Sequence, residues 1–143
     1  MRTSAVFKII HSLTTITLLI LVIGFLYLNP SRDRKASDIF ESAQQVKPGL
    51  WLYATKNASG NATVPVVFRY YLLQKLPGSP EEVVSALHDK LPFIEGTGEI
   101  YKISADDNQV RVSYRGRVYS IEPSSWYTAN GKTETVHIAY DIQ

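Results

Sequence analysis

Val64-Pro-Val-Val-Phe-Arg-Tyr-Tyr-Leu-Leu-Gln74, then Lys75-Leu-Pro-Gly78, then Ser79-Pro-Glu-Glu-Val-Val-Ser-Ala-Leu-His-Asp-Lys-Leu-Pro92 is the stretch that sets the fold class. Its first part is rich in Val, Phe and Tyr and predicts a strand from Val64 to Gln74, apolar on both faces except at Arg69. Pro65 places the start of that strand, or an edge position, nearby. The second part changes period. Ser79 is a helix N-cap, Pro80 suits the first helical position, and Glu82 stands three residues after the cap, which is a capping box with acids at the positive end of the helix dipole. Val83, Val84, Leu87 and Leu91 then recur at helical spacing and Pro92 stops the run, so a helix is expected from Pro80 to about Lys90.

Strand character continues on both sides of this unit. Upstream, Leu50-Trp-Leu-Tyr-Ala54 predicts a strand and the polar run 57–63 a loop. Before them, Ile39, Phe40, Ala43 and Val46 fall on one face at helical spacing behind Ser37 or Asp38, so Asp38–Val46 is expected to be a small helix, ended by Lys47-Pro48-Gly49. Downstream, Glu99–Ser104, Gln109–Tyr114, Arg117–Glu122 and Thr133–Ile142 read as a meander. Ala105-Asp-Asp-Asn108 and Arg115-Gly116 are its turns, and Asn130-Gly131 is a hairpin turn that makes Ser125–Thr128 a short extra strand. Val110, Val112 and Tyr114 alternate inward, as do Val136, Ile138, Tyr140 and Ile142. The expected class is α+β, with one mostly antiparallel sheet packed against the Pro80–Lys90 helix.

The first quarter of the chain has a different composition. From Ile9 to Leu28 there is no Asp, Glu, Lys or Arg, and about 20 residues at 1.5 Å rise span about 30 Å, the thickness of a bilayer core. The run ends Phe-Leu-Tyr-Leu-Asn-Pro, without the small residues of a cleavage site, so an uncleaved anchor is expected rather than a removed signal peptide. The organisation that follows is a basic tail at 1–8, a transmembrane helix at 9–28, a linker at 29–36 and a soluble domain at 37–143. The basic flanks, Arg2 and Lys8 against Arg32, Arg34 and Lys35, are nearly balanced; the short basic leader favours export of the C-terminal domain to the periplasmic side of a bacterial inner membrane.

The 143 residues carry a formal net charge of +2 and a pI near 8.8, but the distribution is uneven. Residues 1–35 hold a net +4 and residues 36–143 a net −2. The basicity flanks the apolar run, so it reads as a membrane address and argues against nucleic-acid binding, which needs a basic patch on the domain. The chain has no cysteine, which excludes a disulfide scaffold, thiolate metal sites and a thiol nucleophile.

Motifs with catalytic chemistry are not visible. His11, His88 and His137 are far apart and lack metal-ligand spacing. No serine stands in a nucleophile-elbow context, and Ser79 is accounted for as a cap. Glu81-Glu82 suits a helix N-terminus and Asp106-Asp107 a turn. Gly96-Thr97-Gly98 precedes a strand instead of opening a helix, so it reads as a loop and not a phosphate cradle. Asn57-Ala-Ser59 and Asn61-Ala-Thr63 are formal glycosylation sequons. No metal, cofactor or catalytic residue is implied. Two features suggest partner contact: Arg111, Arg115 and Arg117 around one expected hairpin, and Trp126-Tyr127 in a polar loop.

A short basic tail, one span, a linker and a small α+β domain resemble the layout of many bacterial envelope accessory proteins. That layout implies a non-enzymatic interaction module, an accessory subunit or regulator of an envelope protein complex, meeting its partner through a free sheet edge or the Trp126 loop. A tethered sensor or carrier for a small lipid-like ligand, and an immunity or exclusion protein at the envelope, are the alternatives.

Overall fold

The computed structural model describes residues 2–28, 33–57, 59 and 63–143. The chain divides into two compact units between Asp33 and Arg34, inside the segment expected as a linker, of which 29–32 lie outside the described residues. The first unit is helix α1, Arg2–Leu28. Its stretch Ser4–Leu28, 25 residues with a mean hydropathy of 2.3, is long and apolar enough to cross a membrane. The hydroxyls of Thr14, Thr15 and Thr17 donate to the carbonyls of Ile10, His11 and Leu13 one turn back, each at 2.9 Å, which removes most of the cost of placing them in lipid.

The second unit is α+β, as expected. It contains β1 (Asp38–Lys47), β2 (Leu50–Asn57), β3 (Phe68–Leu73), α2 (Pro80–Leu87), β4 (Ile94–Gly96), β5 (Glu99–Asp106), β6 (Gln109–Arg115), β7 (Val118–Ile121), β8 (Ser124–Ala129) and β9 (Lys132–Ile142). The strands form two sheets instead of one. The first runs β1-β2-β3-β4-β7 and the second β5-β6-β9-β8; the pairs are antiparallel except β6 with β9.

Asp38–Lys47 is the main correction, a strand where a helix was expected. Its register against β2 shifts twice, between Phe40 and Ser42 and between Gln45 and Lys47. Each bulge inserts one residue and breaks the period-two alternation. The apolar positions Ile39, Phe40, Ala43 and Val46 then imitate a helical face. Pairing along nearly the whole of β2 overrides the local pattern. β3 starts at Phe68, later than expected, and Val64 and Val66 beyond its N-terminal end are exposed. The capping box forms as predicted, with Ser79 N–H donating to Glu82 Oε2 at 2.7 Å. The helix ends at Leu87, one turn early. Val83 and Leu87 are buried in its stripe, while Leu91, expected there too, is 71% exposed.

The first sheet is covered on both faces, which explains the unbroken apolar runs of β2 and β3. Tyr53, Thr55, Arg69 and Tyr71 share one face; Thr55 and Tyr71 bound a small void with Val84 and Leu87 of α2. Leu52, Ala54, Tyr70 and Leu72 share the other, turned to the second sheet: Tyr70 meets Tyr114 edge-on at 6.3 Å and Ser125 Oγ donates to the Leu72 carbonyl at 2.8 Å. The layers are therefore α2, first sheet, second sheet.

Gly96-Thr97-Gly98 is where the chain leaves the first sheet for the second, and Arg115-Gly116-Arg117 is where it returns. The expected tight turn at Arg115-Gly116 is thus a corner of one long bent hairpin, β4–β5 against β6–β7, tipped by Asp107-Asn108. At the bend the two backbones touch. A Cβ on Gly98 would overlap the Arg115 carbonyl, one on Gly96 the Arg117 carbonyl, and Gly116 has φ +127°. Buried tyrosines satisfy the backbone groups the corners release. Tyr114 Oη accepts from Gly98 N–H at 2.7 Å, Tyr70 Oη donates to the Gly98 carbonyl at 3.3 Å, and Tyr140 Oη donates to the Phe93 and Glu122 carbonyls at 2.9 and 2.5 Å.

Two outcomes are expected. Gly98→Ala destabilises the domain by about 1–3 kcal/mol in a denaturant titration of the detergent-solubilised chain, while Gly24→Ala, which meets nothing within 4 Å, leaves the midpoint unchanged. Burial pushes Tyr70 and Tyr71 up to about 12 and raises Tyr140 as well. The fold favours the neutral phenols, so this part of the stability is complete below about pH 10, where unfolded tyrosine titrates, and is lost as pH rises through about 12. Spectroscopic titration of tyrosinate checks it: delayed ionisation followed by cooperative unfolding is expected, and ordinary titration of every tyrosine near pH 10 contradicts it.

Candidate functional site

The densest group of charges in the domain lies under α2. Arg69, 3% exposed at its side chain, pairs with Asp38 at 2.5 Å (4% exposed) and with Glu95 at 3.3 Å (19% exposed). Asp38 also accepts from Thr55 Oγ1 at 3.1 Å and Asn57 Nδ2 at 3.2 Å. The network joins β1, β2, β3 and β4. Burial lowers the pKa of Arg69, but the hydrogen bond and charge of Asp38, followed by Glu95, outweigh this and hold it above the ordinary arginine value. The guanidinium is thus a permanent cation. Beside it, a void of about 10 Å³ bounded by Lys35, Asp38, Tyr71, Leu87 and His88 has room for about one water and not for a substrate. The geometry is that of a strand clamp whose central pair, Arg69 and Asp38, is withdrawn from solvent.

The residues weighed for chemistry are separated by the layers. His88 follows α2 and contacts Asp89 at 3.3 Å; His137 lies on the outer face of the second sheet. They sit on opposite outer layers of the domain. Among the described residues no three His, Asp or Glu side chains form a group able to hold a metal. Asp107 occupies the tip of the bent hairpin at φ 45°, and its carbonyl accepts from Lys47 Nζ at 2.6 Å. The amide of Asn57, in the first sequon, donates to the Arg34 carbonyl at 2.9 Å and to Asp38. Asn61 of the second sequon lies outside the described residues.

The partner-contact candidates also divide. Arg111, Arg115 and Trp126 lie on the outer face of the second sheet, with Lys102, Ser104, His137 and Ala139. Arg111 and Arg115 are exposed and, four positions apart on β6, about 13 Å from each other. Arg115 stacks over Tyr101 at 5.1 Å. Arg117 belongs to the sheet-to-sheet corner, where its carbonyl accepts from Thr97 N–H at 3.0 Å; the three arginines do not form one cluster. Tyr127 is 3% exposed, faces the core, donates to Glu134 at 2.6 Å, lies under Lys47 and lines one groove with Trp126. Trp126 lies on β8, the short extra strand expected at Ser125–Thr128, which is an outer strand of the second sheet. Trp126 is 71% exposed and lines a groove of about 130 Å³ with Leu73, Gln74, Lys90 and Leu91.

No protein family, curated protein or solved structure matches the chain. Two relevant positions are not legible in the local pattern. Leu91 keeps helical spacing with Leu87, but α2 ends at Leu87 and leaves it outside the stripe. Arg69 carries a signal of its own, since a single charge inside a two-faced apolar strand implies a buried partner.

Arg69→Ala leaves Asp38 and Glu95 without their cation and is expected to cost about 3–5 kcal/mol. Replacing Arg69 and Asp38 together by Leu is expected to cost less than the single change. Chemical denaturation of the three proteins checks the order, and a double variant weaker than Arg69→Ala contradicts it.

Proposed function

We propose that the protein is a single-pass, membrane-anchored, non-enzymatic interaction module, an accessory subunit or regulator of a bacterial envelope complex, with its C-terminal domain on the periplasmic side of the inner membrane. One observation carries the reading: the first sheet is covered by α2 and by the second sheet, whereas the second sheet presents an outer face with Arg111 and with Arg115 stacked on Tyr101. A stacked guanidinium has already lost much of its freedom, so pairing it with a carboxylate of a partner costs less side-chain entropy. Anchoring confines the domain to the membrane surface and raises its effective concentration toward a membrane partner.

The tethered-carrier alternative receives less support. A lipid-like ligand between the layers would occupy the space filled by Leu72, Tyr70, Val110, Val112, Tyr114 and Ile138, all buried in one core cluster.

The test is co-purification of the full chain from gently solubilised membranes, beside the Arg111→Glu/Arg115→Glu variant. A stoichiometric partner that binds the wild type and is lost at least about tenfold in the variant, about 1.4 kcal/mol, is expected. Equal recovery with both proteins, or a partner-free monomer, contradicts the reading. A periplasm-active reporter fused after Gln143 checks the orientation, and silence there reverses it.

A further inference from the structure

β1 is an edge strand, and β2 fixes the phase of its backbone. Asn57 N–H donates to the Val67 carbonyl at 2.8 Å, away from β1. The odd-numbered residues of β2 therefore turn their N–H and C=O groups to β3, and the even-numbered ones turn theirs to β1. Asp38, Phe40, Ala43 and Gln45 stand opposite odd-numbered residues, so their backbone groups point out of the sheet. The Asp38 N–H is taken by the Lys35 carbonyl at 2.9 Å. Among the described residues, nothing bonds to the outward groups of Ala43 and Gln45. Ser42, Ala43, Gln44 and Gln45 are exposed and uncharged, and a bulge stands on either side of them. The charges nearby already have contacts: Glu41 pairs with Lys56 at 2.5 Å, Lys47 Nζ donates to the Asp107 carbonyl and lies over Tyr127, and Asp38 is held by Arg69. Toward the Asp38 end, Asp38, Ile39 and Phe40 bound a groove of about 320 Å³ with Pro80, Glu81 and Val84 of α2.

We infer that β1 pairs antiparallel with β1 of a second copy of this chain, about a twofold axis at Gln44. Ala43 of each copy then lies opposite Gln45 of the other, and their outward N–H and C=O groups bond one another. An unpaired edge is a template for some strand; three features select this one. The centre is self-complementary, because Gln44 meets its own counterpart and a primary amide both donates and accepts. The ends differ in sign, so the acidic end with Asp38 and Glu41 meets the Lys47 end of the other copy, while the two Glu41 side chains stand about 20 Å apart. The exposed Pro48, next to Lys47 in the β1–β2 turn, comes against the other copy's groove, with its apolar Ile39, Phe40 and Val84 and its acids Asp38 and Glu81. The bulges limit the pairing to its short centre, and an isologous contact closes at two copies. So short a contact buries little against the roughly 800 Å² per partner of a stable interface. The inference therefore rests on the anchoring part of the proposed function, since copies confined to one membrane meet at a raised effective concentration. The pairing leaves Arg111 and Arg115 on the outer face of the second sheet open to a different partner.

The chain has no cysteine, so one introduced cysteine is unique. Cα atoms of the pair on the axis are about 4.5 Å apart, within disulfide range. The full chain carrying Gln44→Cys, or Thr133→Cys on the exposed start of β9, is produced in bacterial membranes and mildly oxidised there. A disulfide-linked dimer is expected in several-fold higher yield at 44 than at 133. Adding Ala43→Pro to Gln44→Cys removes an N–H that β2 does not use and is expected to lower the yield to that at 133. Adding Gln45→Lys instead guards the edge with a charge and is expected to lower the yield several-fold. An unchanged denaturation midpoint of each reduced chain shows that the fold persists. Equal yields at 44 and 133 in a membrane-bound chain overturn the pairing alone, as does a high yield at 44 that both folded variants leave unchanged. Protection of Cys at 44 from a water-soluble maleimide without dimer formation means that another protein covers the edge, and also overturns the pairing. A chain recovered outside the membrane fraction overturns the anchoring with it.

Discussion

Arg69 is the constraint on which the domain depends. Its guanidinium is withdrawn from water, and a buried charge is tolerable only with its partners in place. Asp38 and Glu95 come from β1 and β4, and Thr55 and Asn57 of β2 complete the Asp38 shell. Satisfying one cation therefore fixes the order of four neighbouring strands. The same cluster lies against α2, so the helix closes over a polar network that is internally paired except at Arg69 Nε. Apolar contact alone is less selective, since a slipped register also buries apolar area. A slip of one residue in β3 would carry Arg69 to the opposite face, beside Leu52 and Ala54 of β2, which offer it no carboxylate.

The second organising problem is the passage between sheets. A chain that crosses from one layer to another breaks its ladder, and the released N–H and C=O groups must find partners. Here glycines allow the two backbones to touch, and tyrosine hydroxyls fill the vacated hydrogen-bond positions. Tyr140 does the same at the passage toward β8 through the Phe93 and Glu122 carbonyls. Each of these tyrosines packs its ring in the core and places its one polar atom at a layer boundary, the combination for which the residue is suited.

How much of this could be read from the sequence follows from the range of the forces involved. The apolar helix, the capping box at Ser79–Glu82 and the alternation of β6 and β9 are local, and they were legible. β1 was not, because two bulges erase its alternation and its pairing with β2 is what holds it extended. The division into two sheets was hidden for a related reason: a glycine in a strand marks a bend equally well as a loop, and only the contact between Gly98 and Gly116 distinguishes them. Of the partner-contact residues, Arg111, Arg115 and Trp126 are on the surface, whereas Tyr127 points inward, because in a strand the neighbour of an outward tryptophan takes the other face. The role of Arg69 needed the positions of Asp38 and Glu95, 31 and 26 residues away.

The functional reading follows from the layers. With the middle strands of the first sheet enclosed, the surfaces left for recognition are the outer face of the second sheet and the edge strand β1, exposed from 41 to 45. The central claim is that β2 and β3, held by Arg69, form an enclosed middle layer, and amide hydrogen exchange on the full chain in micelles tests it most directly. The account predicts that amides of 51–55 and 69–73 exchange slowest and only through global unfolding, while those of the outer strand 124–129 exchange through local opening. Rapid exchange across 69–73, with β1 or α2 detaching independently, would contradict it.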